Sequence, residues 1–151
     1  MTVGKSGLTL DNVIEEAKQV DLMDWQLLNG MDFTGSGIYE TEFKHQGNED
    51  MMLDLGDVRY ACEVWLNDVP LGVRVMPPYQ YEITSELLKE ENKLSIRVTN
   101  SAANAYLYSD AYKNIEKWKM TPYFENQMKF AFDSVVGGLF GPVVLFKKNK
   151  K

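Results

Sequence analysis

Residues 53–72 constrain the fold more than any other stretch of this chain: Leu-Asp-Leu-Gly-Asp-Val-Arg-Tyr-Ala-Cys-Glu-Val-Trp-Leu-Asn-Asp-Val-Pro-Leu-Gly. Tyr60, Cys62, Val64 and Leu66 alternate with Ala61, Glu63, Trp65 and Asn67. A period of two is the mark of a strand with two unlike faces. Asn67-Asp68 then predicts a tight hairpin, because these residues tolerate the left-handed backbone that such a turn requires.

The same pattern recurs along the chain. Alternation predicts strands over 38–43, 51–55, 60–66, 71–75, 92–99, 127–133 and 142–146, with Tyr79, Tyr81 and Ile83 forming another after Pro77-Pro78. In 92–99, Leu94, Ile96 and Val98 point inward and Lys93, Ser95, Arg97 and Thr99 outward. About eight short strands separated by turn signals define an all-β antiparallel β-sandwich. Helix content is expected to be low, with helix over 11–20, after an Asp11 cap, and in one turn through Leu87-Leu88 capped by Thr84 or Ser85. The expected organisation is an N-terminal lead-in over 1–20, a sandwich over 21–147 and a basic tail over 148–151. A chain of 151 residues is large enough for one sizeable core.

Segment 101–126 breaks the rhythm. It separates two strands, shows no alternation and carries Tyr106, Tyr108, Tyr112, Trp118, Tyr123 and Phe124. Long connections of this kind are often functional. Tyr112, Ile115 and Trp118 have helical spacing after a cap at Asp110.

Charge and composition narrow the function. The net charge of −6 argues against nucleic acid, which selects basic surfaces. Cys62 is the single cysteine, so no internal disulfide forms, and with a single histidine the usual zinc ligand set is excluded. Cys62 sits on the apolar side of its strand and reads as a small buried hydrophobe. No apolar run approaches the roughly 20 residues of a membrane-spanning helix, and residues 1–9 lack the apolar core of a secretory signal. His45, in a polar turn, has no triad around it.

Six segments, in order, carry a family resemblance: Phe33-Thr34-Gly35-Ser36-Gly37-Ile38-Tyr39, Leu53-Asp54-Leu55-Gly56, Val64-Trp65-Leu66-Asn67, Pro77-Pro78-Tyr79-Gln80-Tyr81-Glu82-Ile83-Thr84, Asn92-Lys93-Leu94-Ser95-Ile96-Arg97-Val98-Thr99-Asn100 and Gly138-Leu139-Phe140-Gly141-Pro142-Val143. The chain resembles the sugar-binding-type β-sandwich domain of glycoside hydrolase family 2 and of large rhamnosidase-like glycoside hydrolases. The resemblance implies a galactose-binding-like jelly roll that is accessory to a separate catalytic domain. It also implies that the loops at 75–78, after Asn100 and at 137–141 approach carbohydrate. The chain departs from the family pattern at the hairpin, where Asp68 replaces glycine. It departs again after Asn100, where Asp110 alone remains of an acidic cluster found in some relatives.

The expected function is therefore a non-catalytic accessory domain of a glycoside hydrolase, carbohydrate-binding or architectural. The alternatives are a structural or protein-interaction sandwich with no sugar site, and a self-contained glycosidase. The last needs two carboxyls about 5 to 10 Å apart across the scissile bond. The candidate carbohydrate-binding residues are Trp65, Glu63, Asn100, Asn104, Trp118 and Tyr123. Sugars are gripped by flat aromatic faces beside amides and charged groups. An open sheet face makes Trp65 and Glu63 a platform; a lead-in or long loop lying over it makes Trp65 core, the commoner arrangement in a sandwich. Asn100 reads first as a turn cap. The expected partners are carbohydrate and the parent's catalytic domain, without nucleic acid or membrane. No cofactor is expected beyond a structural calcium, for which Asp32, Asp54 and Asp133 are conceivable ligands. An extracellular or periplasmic parent is compatible with this reading.

Overall fold

A computed structural model of the chain describes residues 2–7, 18–29, 33–107, 110 and 136–148. The described strands, in chain order, are β1 (Thr2–Gly7), β2 (Lys18–Gln19), β3 (Gly35–Lys44), β4 (Met51–Asp54), β5 (Asp57–Arg59), β6 (Ala61–Leu66), β7 (Val69–Arg74), β8 (Gln80–Ile83), β9 (Glu91–Thr99), β10 (Gly138–Gly141) and β11 (Val144–Lys147). Among the described residues, helix is confined to α1 (Trp25–Asn29), α2 (Ala103–Leu107) and a 3₁₀ turn at Ser85–Leu87. A six-stranded antiparallel sheet, ordered β2-β1-β3-β9-β6-β7, packs against a three-stranded sheet β11-β4-β8 and the pair β10-β5. The chain is an all-β antiparallel sandwich.

The alternation in the sequence maps onto the two faces of the large sheet. Cys62, Val64 and Leu66 of β6, Leu94, Ile96 and Val98 of β9 and Tyr39 of β3 are buried. They meet Met51, Leu53, Leu55, Tyr81, Ile83, Val58 and Leu139 in one core. Each such aliphatic side chain contributes about 1.5–3 kcal/mol when fully buried. The hairpin between β6 and β7 turns at Asn67 and Asp68, whose φ angles of 51° and 66° place both in the left-handed region. Asn67 also clamps the sandwich: its side-chain amide donates to Leu87 O and Asn92 Oδ1, and its Oδ1 accepts from Lys93 N–H.

Trp25 is the other organising residue. It is buried, its indole N–H donates to the Tyr39 hydroxyl, and its ring lies edge-on to Phe33 at 5.4 Å. Gly37 makes room for it, since a Cβ there would lie 2.7 Å from the indole ring. The Tyr39 hydroxyl also accepts from Leu139 N–H at 3.2 Å, tying β3 to β10 across the core. Gly56 and Gly141 meet backbone to backbone, so that a Cβ on Gly56 would collide with Gly141 O.

Within the stretch expected as a lead-in lie β1, which pairs with β3 from Thr2 to Gly7, and β2. Several expected elements are corrected. Lys18–Gln19 is strand where helix was expected over 11–20, and residues 11–17 lie outside the described residues. The 3₁₀ turn has no side-chain cap from Thr84; Asp50 Oδ1, 35 positions upstream, accepts from Ser85 N–H instead. β7 begins at Val69 and β11 at Val144. The strand expected over 127–133 and the helical spacing of Tyr112, Ile115 and Trp118 fall outside the described residues.

Candidate functional site

The outer face of the six-stranded sheet is built from the residues that alternate with the core. Register places Ile38, Arg97 and Glu63 in one row across β3, β9 and β6. Glu40, Ser95 and Trp65 form the next row, and Glu42 stands opposite Lys93 in the third. Ser95 is small and central, and long side chains surround it. The outcome is an open hollow of about 460 Å³ lined by Ile38, Glu40, Trp65, Asp68, Lys93, Ser95 and Arg97.

Two ion pairs flank the hollow. Arg97 Nη2 donates to Glu63 Oε2 at 2.5 Å, bridging β9 to β6. Lys93 Nζ lies 2.9 Å from Glu40 Oε1, bridging β9 to β3. The hydrogen bond to Glu40 is the main reason that the Lys93 ammonium is held above its ordinary pKa. The Arg97 and Glu63 side chains are 44% and 34% exposed, so their pair is a surface contact worth at most about 1 kcal/mol. The Arg97 guanidinium also lies over the Trp65 ring, 5.3 Å from its centroid. Trp65 is therefore half-buried through contact with an arginine of its own sheet. This differs from both arrangements considered for it, a bare platform and a core position under the lead-in or the long loop. The sequence marked Arg97 and Lys93 only as outward-facing. Their pairing with Glu63 and Glu40 depends on the register of three strands that are not consecutive in the chain.

Asn100 and Asn104 occupy a different place, at the end of β9 and in α2. Asn100 Oδ1 accepts from Gly35 N–H at 2.8 Å, and its Nδ2 donates to Phe33 O at 3.0 Å. Both ends of its amide therefore hold the 33–35 segment, 65 and 67 positions upstream, where a cap of the local turn was expected. Asn104 is buried, and its Nδ2 donates to the same Phe33 carbonyl at 3.2 Å. Its Oδ1 has no hydrogen-bond partner among the described residues. Trp118 and Tyr123 lie outside the described residues. The structure thus brings Trp65 and Glu63 together on the sheet face and Asn100 and Asn104 together at the sheet end, as two separate groups.

Asp54 is engaged within the protein: its oxygens accept from Gly56 N–H and from Gln80 Nε2, both at 2.8 Å. Asp32 and Asp133 lie outside the described residues. No group of three or more His, Cys, Asp or Glu side chains is placed to hold a metal ion among the described residues. Cys62 is buried with its sulfur 3.2 Å from the Tyr81 hydroxyl, and burial pushes its thiol pKa up, away from the reactive thiolate. On the open side of the sandwich, Val73, Val75 and Met76 are 59%, 66% and 66% exposed beside Pro77 and Pro78.

Comparison with known proteins places this fold among glycoside hydrolases. The chain is similar to part of a rhamnosidase from Novosphingobium sp. PP1Y, at 25% identity and a TM-score of 0.56; the match covers 78% of this chain and 11% of that one. It is also similar in fold to part of a family 2 beta-galacturonidase from Eisenbergiella tayi, at 15% identity and a TM-score of 0.61; that match covers 98% of this chain and 23% of the galacturonidase. Over 73 residues it is 34% identical to a Formosa agariphila protein provisionally named a beta-glucuronidase, covering 45% of this chain and 6% of that protein. No family model matches the chain. The sandwich is thus of the type that family 2 and rhamnosidase-type glycoside hydrolases carry, and the chain spans under a quarter of each of these proteins.

Proposed function

We propose that this chain is a non-catalytic accessory domain of a glycoside hydrolase, contacting carbohydrate or bracing the catalytic domain of its parent. The observation that carries the reading is the galacturonidase match, in which nearly the whole chain corresponds to a minor part of a much larger hydrolase. The local chemistry agrees with it. Glu63 and Glu40 are each bound to a cation of β9, a poor arrangement for a glycosidase, which needs one carboxyl to donate a proton and another to attack or activate water. Carbohydrate contact on a shallow exposed surface is weak by itself and gains from tethering to the enzyme through effective concentration.

The test is turnover of aryl glucuronide, galacturonide and rhamnoside substrates by the full chain. The expected result is no aglycone release above the blank. Release proportional to protein concentration would overturn the non-catalytic reading and restore the self-contained glycosidase. A purely protein-interacting sandwich draws support from the exposed Val73, Val75 and Met76, because apolar surface of this kind marks docking sites.

A further inference from the structure

We infer that the hollow around Ser95, on the outer face of the six-stranded sheet, is a binding site for a neutral oligosaccharide read through its vicinal hydroxyls; this rests on the carbohydrate-contacting form of the function proposed above. The first support is shape. Ser95 is the one short side chain among Glu40, Trp65, Lys93 and Arg97, and the absence of bulk there creates the depression of about 460 Å³. Apolar surface lines it on two sides, through Ile38 of β3 and Trp65 of β6.

The second support is hydrogen-bond chemistry. Each ion pair sets an acceptor carboxylate beside a cationic N–H donor: Glu63 with Arg97, and Glu40 with Lys93. A sugar hydroxyl both donates and accepts. Two adjacent hydroxyls can therefore give a proton to the carboxylate and accept one from the cation without parting the pair. Lys93 and Arg97 lie about 13 Å apart along β9, at roughly 3.3 Å per residue. That span exceeds one pyranose ring, so the matching ligand is a short chain rather than a monosaccharide.

The third support is charge, which separates neutral from acidic sugars. Around the hollow stand three carboxylates, Glu40, Glu63 and Asp68, and two cations, Lys93 and Arg97. Three against two leaves a net negative surface. A uronate would have to displace Glu63 or Glu40 from its cation while facing the remaining carboxylates. A neutral sugar meets neither obstacle. The Arg97 stack covers one face of Trp65, so the ligand is held by the hollow's lining and its ion pairs and not by ring stacking on a bare indole.

The experiment is proton–nitrogen NMR of the full 151-residue chain titrated with cellotriose, xylotriose, mannotriose and trigalacturonate at millimolar concentration. The expected result is saturable shifts in the amides of residues 93–97 and the Trp65 indole N–H with at least one neutral trisaccharide, and none with trigalacturonate. Ser95→Phe fills the hollow at an outward strand position, where aromatic residues are well tolerated. It should weaken binding about tenfold or more, the loss of contacts worth about 1.4 kcal/mol. Arg97→Gln removes one ion pair and serves if the phenylalanine variant does not fold; the same tenfold weakening is expected. Shifts gathered at Asn100 and Asn104, or undiminished in both variants, overturn this site while leaving carbohydrate binding intact. Preference for trigalacturonate at residues 93–97 overturns the ligand class. Silence with every saccharide removes the site together with the carbohydrate form of the proposed function, and leaves only the bracing role.

Discussion

Replacing Tyr39 by phenylalanine removes a single oxygen, and the structure says what that oxygen does. It accepts the indole N–H of Trp25 and the backbone N–H of Leu139, and both donors are buried. Phenylalanine keeps the ring and its packing. What is lost is the acceptor, and two N–H groups remain without water or partner. An orphaned buried donor costs about 1–3 kcal/mol. Two such donors, less the desolvation that the phenol no longer has to bear, predict a loss of about 2–4 kcal/mol. For a chain of this length each kcal/mol lowers Tm by roughly 2–4 °C. Tyr81→Phe is the internal reference: among the described residues its hydroxyl meets only the Cys62 sulfur, a weak hydrogen-bonding group, so its loss should stay within about 1 kcal/mol. The assay is urea unfolding followed by tryptophan fluorescence, with an unchanged m-value confirming that the comparison concerns the native state. If Tyr39→Phe proves no more costly than Tyr81→Phe, the view of Tyr39 as the hydrogen-bonded tie between β3, Trp25 and β10 is wrong.

Two further outcomes follow from the fold. Asp68 stands at φ 66° in the β6–β7 turn, so Asp68→Gly should leave Tm unchanged or raise stability by up to about 1 kcal/mol, whereas Asp68→Val should cost about 1–2 kcal/mol; equal Tm values for the two variants would contradict the left-handed turn. Cys62, Tyr39, Tyr79 and Tyr81 all have pKa values raised above the ordinary 9.0 of a thiol or 10.0 of a phenol, chiefly by burial. The unfolded chain therefore loses these protons first, and stability should be full below about pH 9 and fall as pH rises beyond it; a urea midpoint that stays level to about pH 11 would refute this.

What the chain reveals by itself is local. The period-two pattern assigned Cys62, Val64, Leu66, Leu94, Ile96 and Val98 to the core and Lys93, Ser95 and Arg97 to the outer face, and the structure agrees. The Asn67-Asp68 turn was legible because few other residues accept its backbone angles. Gly37, the glycine that admits Trp25 to the core, is identified only by the 2.7 Å approach in space. Facing and turning are properties of a few consecutive residues. Neighbourhood is not: β9 lies between β3 and β6, whose residues are some thirty to sixty positions away in the chain. That register alone lays Arg97 on Trp65, joins it to Glu63, joins Lys93 to Glu40 and leaves Ser95 in the hollow between them. Thr2–Gly7, short and without alternation, is a strand because the edge of β3 offers it hydrogen bonds. Asp50 caps Ser85 because two strands bring them together. The sequence by itself determined which side of each strand meets the core; the tertiary structure decided which strands stand side by side, since only closure of the sheet pairs groups so far apart along the chain.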